Sequence, residues 1–129
     1  MDRLEITLTQ ENDTCTFLIT MPDGKAECSL TLQHGIWIFG LFVTRELRGQ
    51  GLGGKLIDHV VTWANDNNYG LLGFVDPHYD IGLDENQLWD FYVRHGFKVG
   101  FVKDFVAGER YVYIGDVSNY FAKENKKAS

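Results

Sequence analysis

The sequence predicts an α/β fold on a mixed sheet (α+β in its strand arrangement), and three observations carry that prediction. Segments near the N-terminus alternate apolar and polar residues, as half-buried strands do. Two later segments are continuously apolar, as strands covered on both faces are. Each of those two is followed by a stretch with apolar residues at helical spacing, and strand–helix–strand order builds layered sheets.

The elements follow in order. Leu4-Glu5-Ile6-Thr7-Leu8-Thr9 alternates and reads as a half-buried strand. Gln10 to Asp13 is turn-like. Thr14 to Thr20 and Ala26 to Leu32 form a hairpin around Asp23-Gly24, a dipeptide suited to two-residue turns. That turn would set Pro22 opposite Lys25, Ile19 opposite Cys28 and Cys15 opposite Leu32. The only two cysteines, Cys15 and Cys28, would then stand roughly 13 Å apart. A disulfide needs Cα atoms within about 7 Å, so both are expected as free thiols in a cytoplasmic protein. No Cys-x-x-Cys or paired Cys/His spacing suggests a metal. After the Gln33-His34-Gly35 turn, Ile36 to Val43 is apolar throughout and reads as a central strand buried on both faces, with Gly40 marking a bulge or a close approach.

Leu52, Leu56, Ile57, Val60, Val61 and Ala64 then define a helix from about Gly51 to Asn67. Leu71 to Val75 is a buried strand, Asp76 to Asp84 a loop, and Glu85 to His95 a second helix stopped by Gly96. Phe97 to Asp104 and Arg110 to Ile114 are strands around the Val106-Ala107-Gly108 turn. Residues 1–117 form one domain, and 118–129 a short polar, basic tail.

Composition narrows the function. The chain has 129 residues, enough for one domain and too few for two. It is 44% hydrophobic and 23% charged, the balance of a folded globule. No apolar run approaches the roughly 18 to 20 residues of a membrane span, and the start has no signal-like apolar region. The net charge of −6 argues against gripping duplex nucleic acid, which needs a basic face. The tail holds Lys123, Lys126 and Lys127 against Glu124, so the body carries 9 bases and 17 acids, a net −8.

The chemistry concentrates in Arg48-Gly49-Gln50-Gly51-Leu52-Gly53-Gly54-Lys55, between an apolar strand and a helix. Glycines let a ligand approach the backbone, and free N–H groups at a helix start favour phosphate oxygens. Gly49-x-Gly51-x-x-Gly54 satisfies a dinucleotide fingerprint, yet Thr44 to Arg48 separate it from its strand, where the fingerprint should follow almost directly. Gly49-x-x-x-x-Gly54-Lys55 resembles a P-loop, but Leu56 stands where magnesium requires Ser or Thr. A third pattern, Arg/Gln-x-x-Gly-x-Gly/Ala, fits Arg48 to Gly53. With Val43 to Leu47 as its lead-in, it resembles the acetyl-CoA motif of the GCN5-related N-acetyltransferase (GNAT) superfamily. A second block agrees: Phe91-Tyr92-Val93-Arg94-His95-Gly96-Phe97 is similar to that family's helix ending in Phe/Leu-Tyr-x-x-x-Gly-Phe. The resemblance runs from about Thr14 to Gly115.

The resemblance implies the following. The amides of Arg48 through Gly54 hold the CoA pyrophosphate, and Lys55 assists or is simply a solvated helix residue. The pantetheine arm lies beside the fourth strand, against the backbone of Leu41 and Val43, where that strand and the fifth splay apart. Glu85 or Asn86 contacts the cofactor. Tyr92 protonates the leaving sulfur. The base is open among Asp76, His78 and Asp80, or a water chain. His34, His59 and His95 read as turn or helix-surface residues.

The implied activity is direct transfer of an acetyl group from acetyl-CoA, as co-substrate, to an amine. The alternative is a binding protein on the same fold that acts by association. Members of the family usually carry helices between the first two strands that wall the acceptor site, and Gln10 to Asp13 leaves no room for them. The expectation is an open cleft taking a protein amine or other bulky, cationic acceptor, or a homodimer whose second subunit supplies the wall.

Overall fold

The computed structural model describes residues 5–74, 84–102 and 109–122. A seven-stranded mixed sheet runs in the order β1-β2-β3-β4-β5-β7-β6. Its strands are β1 (Thr7–Glu11), β2 (Thr14–Met21), β3 (Gly24–Gln33), β4 (Ile36–Val43), β5 (Gly70–Phe74), β6 (Lys98–Val102) and β7 (Glu109–Ile114). The helices are α1 (Leu52–Asp66) and α2 (Glu85–Arg94). A single 3₁₀ turn, Arg45–Leu47, follows β4, and a helical turn spans 118–122. Among the described residues no helix is long and apolar enough to cross a membrane.

The first four strands form an antiparallel meander. β4 and β5 are parallel and joined through α1, and β7 and β6 return antiparallel. Helix α1 exists because Leu52, Leu56, Ile57, Val60 and Ala64 fall on one stripe, and all five are buried against the sheet. Helix α2 adds Leu88, Phe91 and Tyr92 to the same apolar cluster. On the opposite face a smaller cluster joins Ile36, Leu72 and Val117 to Tyr111, Tyr113, Tyr120 and Phe121. Residues 118–122 of the expected tail therefore pack against the sheet, and 123–129 lie outside the described residues.

Three expectations need correction. First, the N-terminal strand lies at Thr7–Glu11 rather than Leu4 to Thr9, and it is exposed throughout rather than half-buried. Asn12, at φ 53°, makes a two-residue turn that pairs Glu11 with Thr14. As the edge strand β1 lies beyond the cover of α1, so Leu8 stays 45% exposed although it sits opposite buried Phe17.

Second, the β2–β3 hairpin turns on Pro22-Asp23, not Asp23-Gly24. Met21 faces Gly24, Ile19 faces Ala26, Phe17 faces Cys28 and Cys15 faces Leu30. The slip of two residues leaves every side chain on its expected face, so the hydrophobic pattern cannot choose between the registers. The end of β4 chooses. Lys25 N–H donates to Thr44 Oγ1 at 2.8 Å, and Thr44 N–H donates to the Lys25 carbonyl at 2.9 Å. A Cβ at Gly24 would lie 2.5 Å from Thr44 Oγ1, so only glycine fits beneath that threonine. The two thiols become diagonal neighbours on one face, both buried and free.

Third, β4 is buried on both faces only at its start. Trp37, Phe39, Leu41 and Val43 are buried on the helix side, while on the other side Gly40 and Phe42 are exposed. The Asn12-Asp13 turn joins β1 directly to β2, and no described helix lies over this part of the sheet.

Candidate functional site

The end of β4 and the start of α1 build a site from backbone. β5 pairs with β4 only at Ile36↔Gly70, Trp37↔Leu71 and Ile38↔Leu72, and among the described residues the two strands pair no further. Phe39 occupies the divergence: a Cβ on Gly73 would come within 2.5 Å of its ring. The Thr44-to-Lys25 hydrogen bond fixes the alternation along β4. Even-numbered residues direct their backbone groups toward β3, and Leu41 and Val43 direct theirs toward the gap. The Val43 carbonyl accepts a 3.0 Å hydrogen bond from Arg48 Nε, which ties the following loop to the strand end.

That loop leads into an unusual helix start. Gly49 and Gly51 adopt left-handed φ angles of 85° and 79°, where a side chain would strain the backbone. A Cβ at either would meet nothing within 4 Å, so their surfaces face open space. Gly51 caps α1 with no side-chain hydrogen bond, and the first turn carries no acid. The first helical bond runs from Lys55 N–H to the Gly51 carbonyl, so the preceding amides have no helical acceptor. The contrast with α2 is instructive. There Asp84 Oδ1 accepts from Gln87 N–H at 2.9 Å and Gln87 Oε1 accepts from Asp84 N–H at 3.0 Å, a complete capping box. The chain satisfies one helix start and leaves the other bare, and a bare start attracts anions.

A cavity of about 470 Å³ opens on these amides. Arg48, Gly49, Gly51, Leu52, Gly53, Gly54 and Lys55 line it, with Val43 and Leu47 beneath and Asp58, Phe91, Arg94 and His95 along the far wall. The residue types suit a polyphosphate: amides without acceptors, three permanent cations and one carboxylate.

A profile described as "Acetyltransferase (GNAT) domain" matches residues 8–99. The chain belongs to the GNAT family. Solved structures share the fold of this GNAT protein at low identity. The Campylobacter jejuni N-acetyltransferase PseH, solved in complex with acetyl coenzyme A, is 15% identical at a TM-score of 0.58, over 82% of this chain and 70% of that one. The anti-CRISPR protein AcrVA5 is 20% identical at 0.55, over 78% of this chain and 98% of that one. A GNAT-family acetyltransferase from Streptococcus pneumoniae is 14% identical at 0.56, over 80% and 66%. No curated protein matches the sequence itself.

The other residues singled out from the sequence are distributed unevenly. Gln50 is exposed on the loop. Leu41 is buried, its backbone at the gap. Tyr92 is 4% exposed and packs edge-on to Phe39, Phe91 and Phe97, with ring centroids 5.7, 5.1 and 5.4 Å away. Phe39 thus links the tyrosine to the strand divergence. Glu85 opens α2, and Asn86 is exposed on its first turn. Asp76, His78 and Asp80 lie outside the described residues.

The sequence reading missed Leu47, Asp58, Phe91, Arg94 and His95 as wall residues. His95 in particular is not a helix-surface residue. Its side chain is 19% exposed, and its Nδ1 lies 2.6 Å from Asp58 Oδ1 on α1. The available signal was spacing: Phe91, Arg94 and His95 share one face of α2 at i, i+3 and i+4. Nothing local indicated that this face meets α1.

Proposed function

We propose that this GNAT protein transfers an acetyl group from acetyl-CoA directly to an amine acceptor. One observation carries the reading: the uncapped, acid-free start of α1 opens on a cavity beside the diverging edge of β4. The residues fit acetyl-CoA. The glycines leave room for a diphosphate at the amides from Gly49 to Gly54, the Arg48 amide being already bonded to the Arg45 carbonyl, and Lys55 adds a cation at the rim. Leu41 and Val43 offer strand-like hydrogen bonds to an extended amide-bearing arm. Acetyl-CoA supplies an activated acyl carbon and a thiol leaving group.

The residues then have three tasks. An ammonium with the ordinary lysine pKa of about 10.4 must lose its proton, costing about 4.6 kcal/mol at pH 7. Asp76, His78 or Asp80 is assigned that proton, directly or through water. β4 amides at the gap stabilise the charge that develops on the carbonyl oxygen. Tyr92 gives its proton to the departing sulfur as the C–N bond forms and the C–S bond breaks, and takes one back from solvent. Its position against Phe39, at the divergence, supports this role.

The acceptor is assigned to an amine on a protein or other bulky, cationic substrate. The β1–β2 connection is a two-residue turn, no described helix covers the sheet there, and Gly40 and Phe42 stand exposed. The decisive experiment is acetyl-CoA binding followed by acceptor-dependent release of CoA, with basic and acidic peptides compared at low salt. Transfer favouring basic peptides supports the proposal. Binding without turnover across peptide and amine libraries would favour the non-catalytic alternative. Tyr92→Phe should lower kcat by about 10²-fold with little change in acetyl-CoA affinity, the effect of losing a proton donor.

A further inference from the structure

We propose that His95, held by Asp58, is a binding residue for a phosphate group at the nucleotide end of the donor, and that Asp58 is its positioning residue. The inference rests on the acetyl-CoA reading and extends it to a pair of side chains outside the glycine loop.

Three contacts fix the imidazole. Nδ1 lies 2.6 Å from Asp58 Oδ1. The ring packs on Phe91 with centroids 4.7 Å apart. Its Cε1–Nε2 edge faces Gly54, where a Cβ would lie 3.3 Å from both atoms, a close approach of ring to helix. A carboxylate only accepts hydrogen bonds, so Nδ1 carries the proton shared with Asp58. The nitrogen left to answer a ligand is Nε2, at the edge beside Gly54, whose amide is the last of the bare ones.

The surrounding charges select the ligand. Arg48 approaches from the loop, Lys55 from α1 and Arg94 from α2, all lining the same cavity as His95. Asp58 is the sole carboxylate among the described lining residues, and it is engaged by the histidine. Arg48, Lys55, Arg94 and the bare amides therefore give the cavity a cationic, donor-bearing rim for an anion. With a second proton, taken from solvent, the ring would donate at both nitrogens, and a phosphate oxygen at Nε2 would complete an Asp–His–phosphate chain. A helix clamp alone would need the Asp58 contact, but not an Nε2 edge on a cation-lined cavity.

CoA offers two phosphate sources, its diphosphate and its 3′-phosphate, and calorimetry with three ligands separates them. CoA carries both, dephospho-CoA lacks the 3′-phosphate, and pantetheine lacks both. His95→Ala and the milder His95→Gln should each weaken CoA about tenfold while leaving pantetheine within twofold. If the loss disappears with dephospho-CoA, the partner is the 3′-phosphate; if it persists, the partner is the diphosphate. Asp58→Ala should weaken CoA in the parent protein and have no further effect in the His95→Ala background. Two results overturn the proposal while wild-type CoA binding stands: CoA affinity unchanged within twofold in both His95 variants, or an equal loss against pantetheine. A lower melting temperature with unchanged ligand selectivity would make the pair a structural clamp. Failure of wild-type protein to bind CoA at all would instead remove the reading on which the pair depends.

Discussion

At the residue scale, Gly51 does the most with the least. Its left-handed φ of 79° ends the loop, and its missing side chain leaves the α1 amides open to the cavity. Gly51→Glu should abolish CoA binding, through bulk and negative charge set where an anion must sit, while circular dichroism stays folded. Retained binding would put the ligand elsewhere. Cys15 and Cys28 are a second residue-scale matter. Burial pushes both thiols above their ordinary value of 9.0, and at Cys28 the neighbouring Cys15 and Glu27 push further. Above about pH 9 the unfolded chain loses thiol protons that the folded chain keeps, so stability falls as pH rises there. Denaturant melts from pH 8 to 10.5 should show that fall, and Cys28→Ala should flatten it.

At the element scale, the two helices divide labour through their N-termini. The capping box of Asp84 and Gln87 makes α2 a self-sufficient element that can present Tyr92 and His95 from fixed positions. Asp84→Ala should cost about 1 kcal/mol in a denaturant melt, the typical loss for an N-cap. The sequence reading ended the loop at Asp84 and began the helix at Glu85, where the structure begins it, and Asp84-x-x-Gln87 is the cap signature at that boundary. The element boundaries of α1 and α2 were legible because apolar spacing and the terminal glycine Gly96 are local signals. The β2–β3 register was not, because registers two residues apart expose the same face and Thr44, on a distant strand end, made the choice.

At the scale of the whole molecule, the expected tail divides in two. Tyr120 and Phe121 pack on the sheet face opposite the helices, Phe121 with its ring 4.6 Å from Tyr111. Asn119 Nδ2 also donates to the His34 carbonyl at 2.9 Å, tying this segment to the β3–β4 turn. Removing 118–129 should lower stability by about 2 kcal/mol, the scale of one large apolar side chain returned to water. Phe121→Ala should reproduce much of the drop in a thermal melt. The net charge of −6 acquires a location as well: Arg48, Lys55 and Arg94 gather at the cavity, so the acidity belongs to the rest of the surface.

The sequence by itself determined the strand and helix order, the glycine-rich start of α1 and the family. Each of these is written in neighbours a few residues apart. Only the tertiary structure decided the hairpin register, the parting of β4 from β5 after Ile38, the seat of Tyr92 against Phe39 and the pairing of His95 with Asp58. Those features depend on which distant surfaces meet. Periodicity specifies that a face is buried; the packing of one element on another specifies what it is buried against.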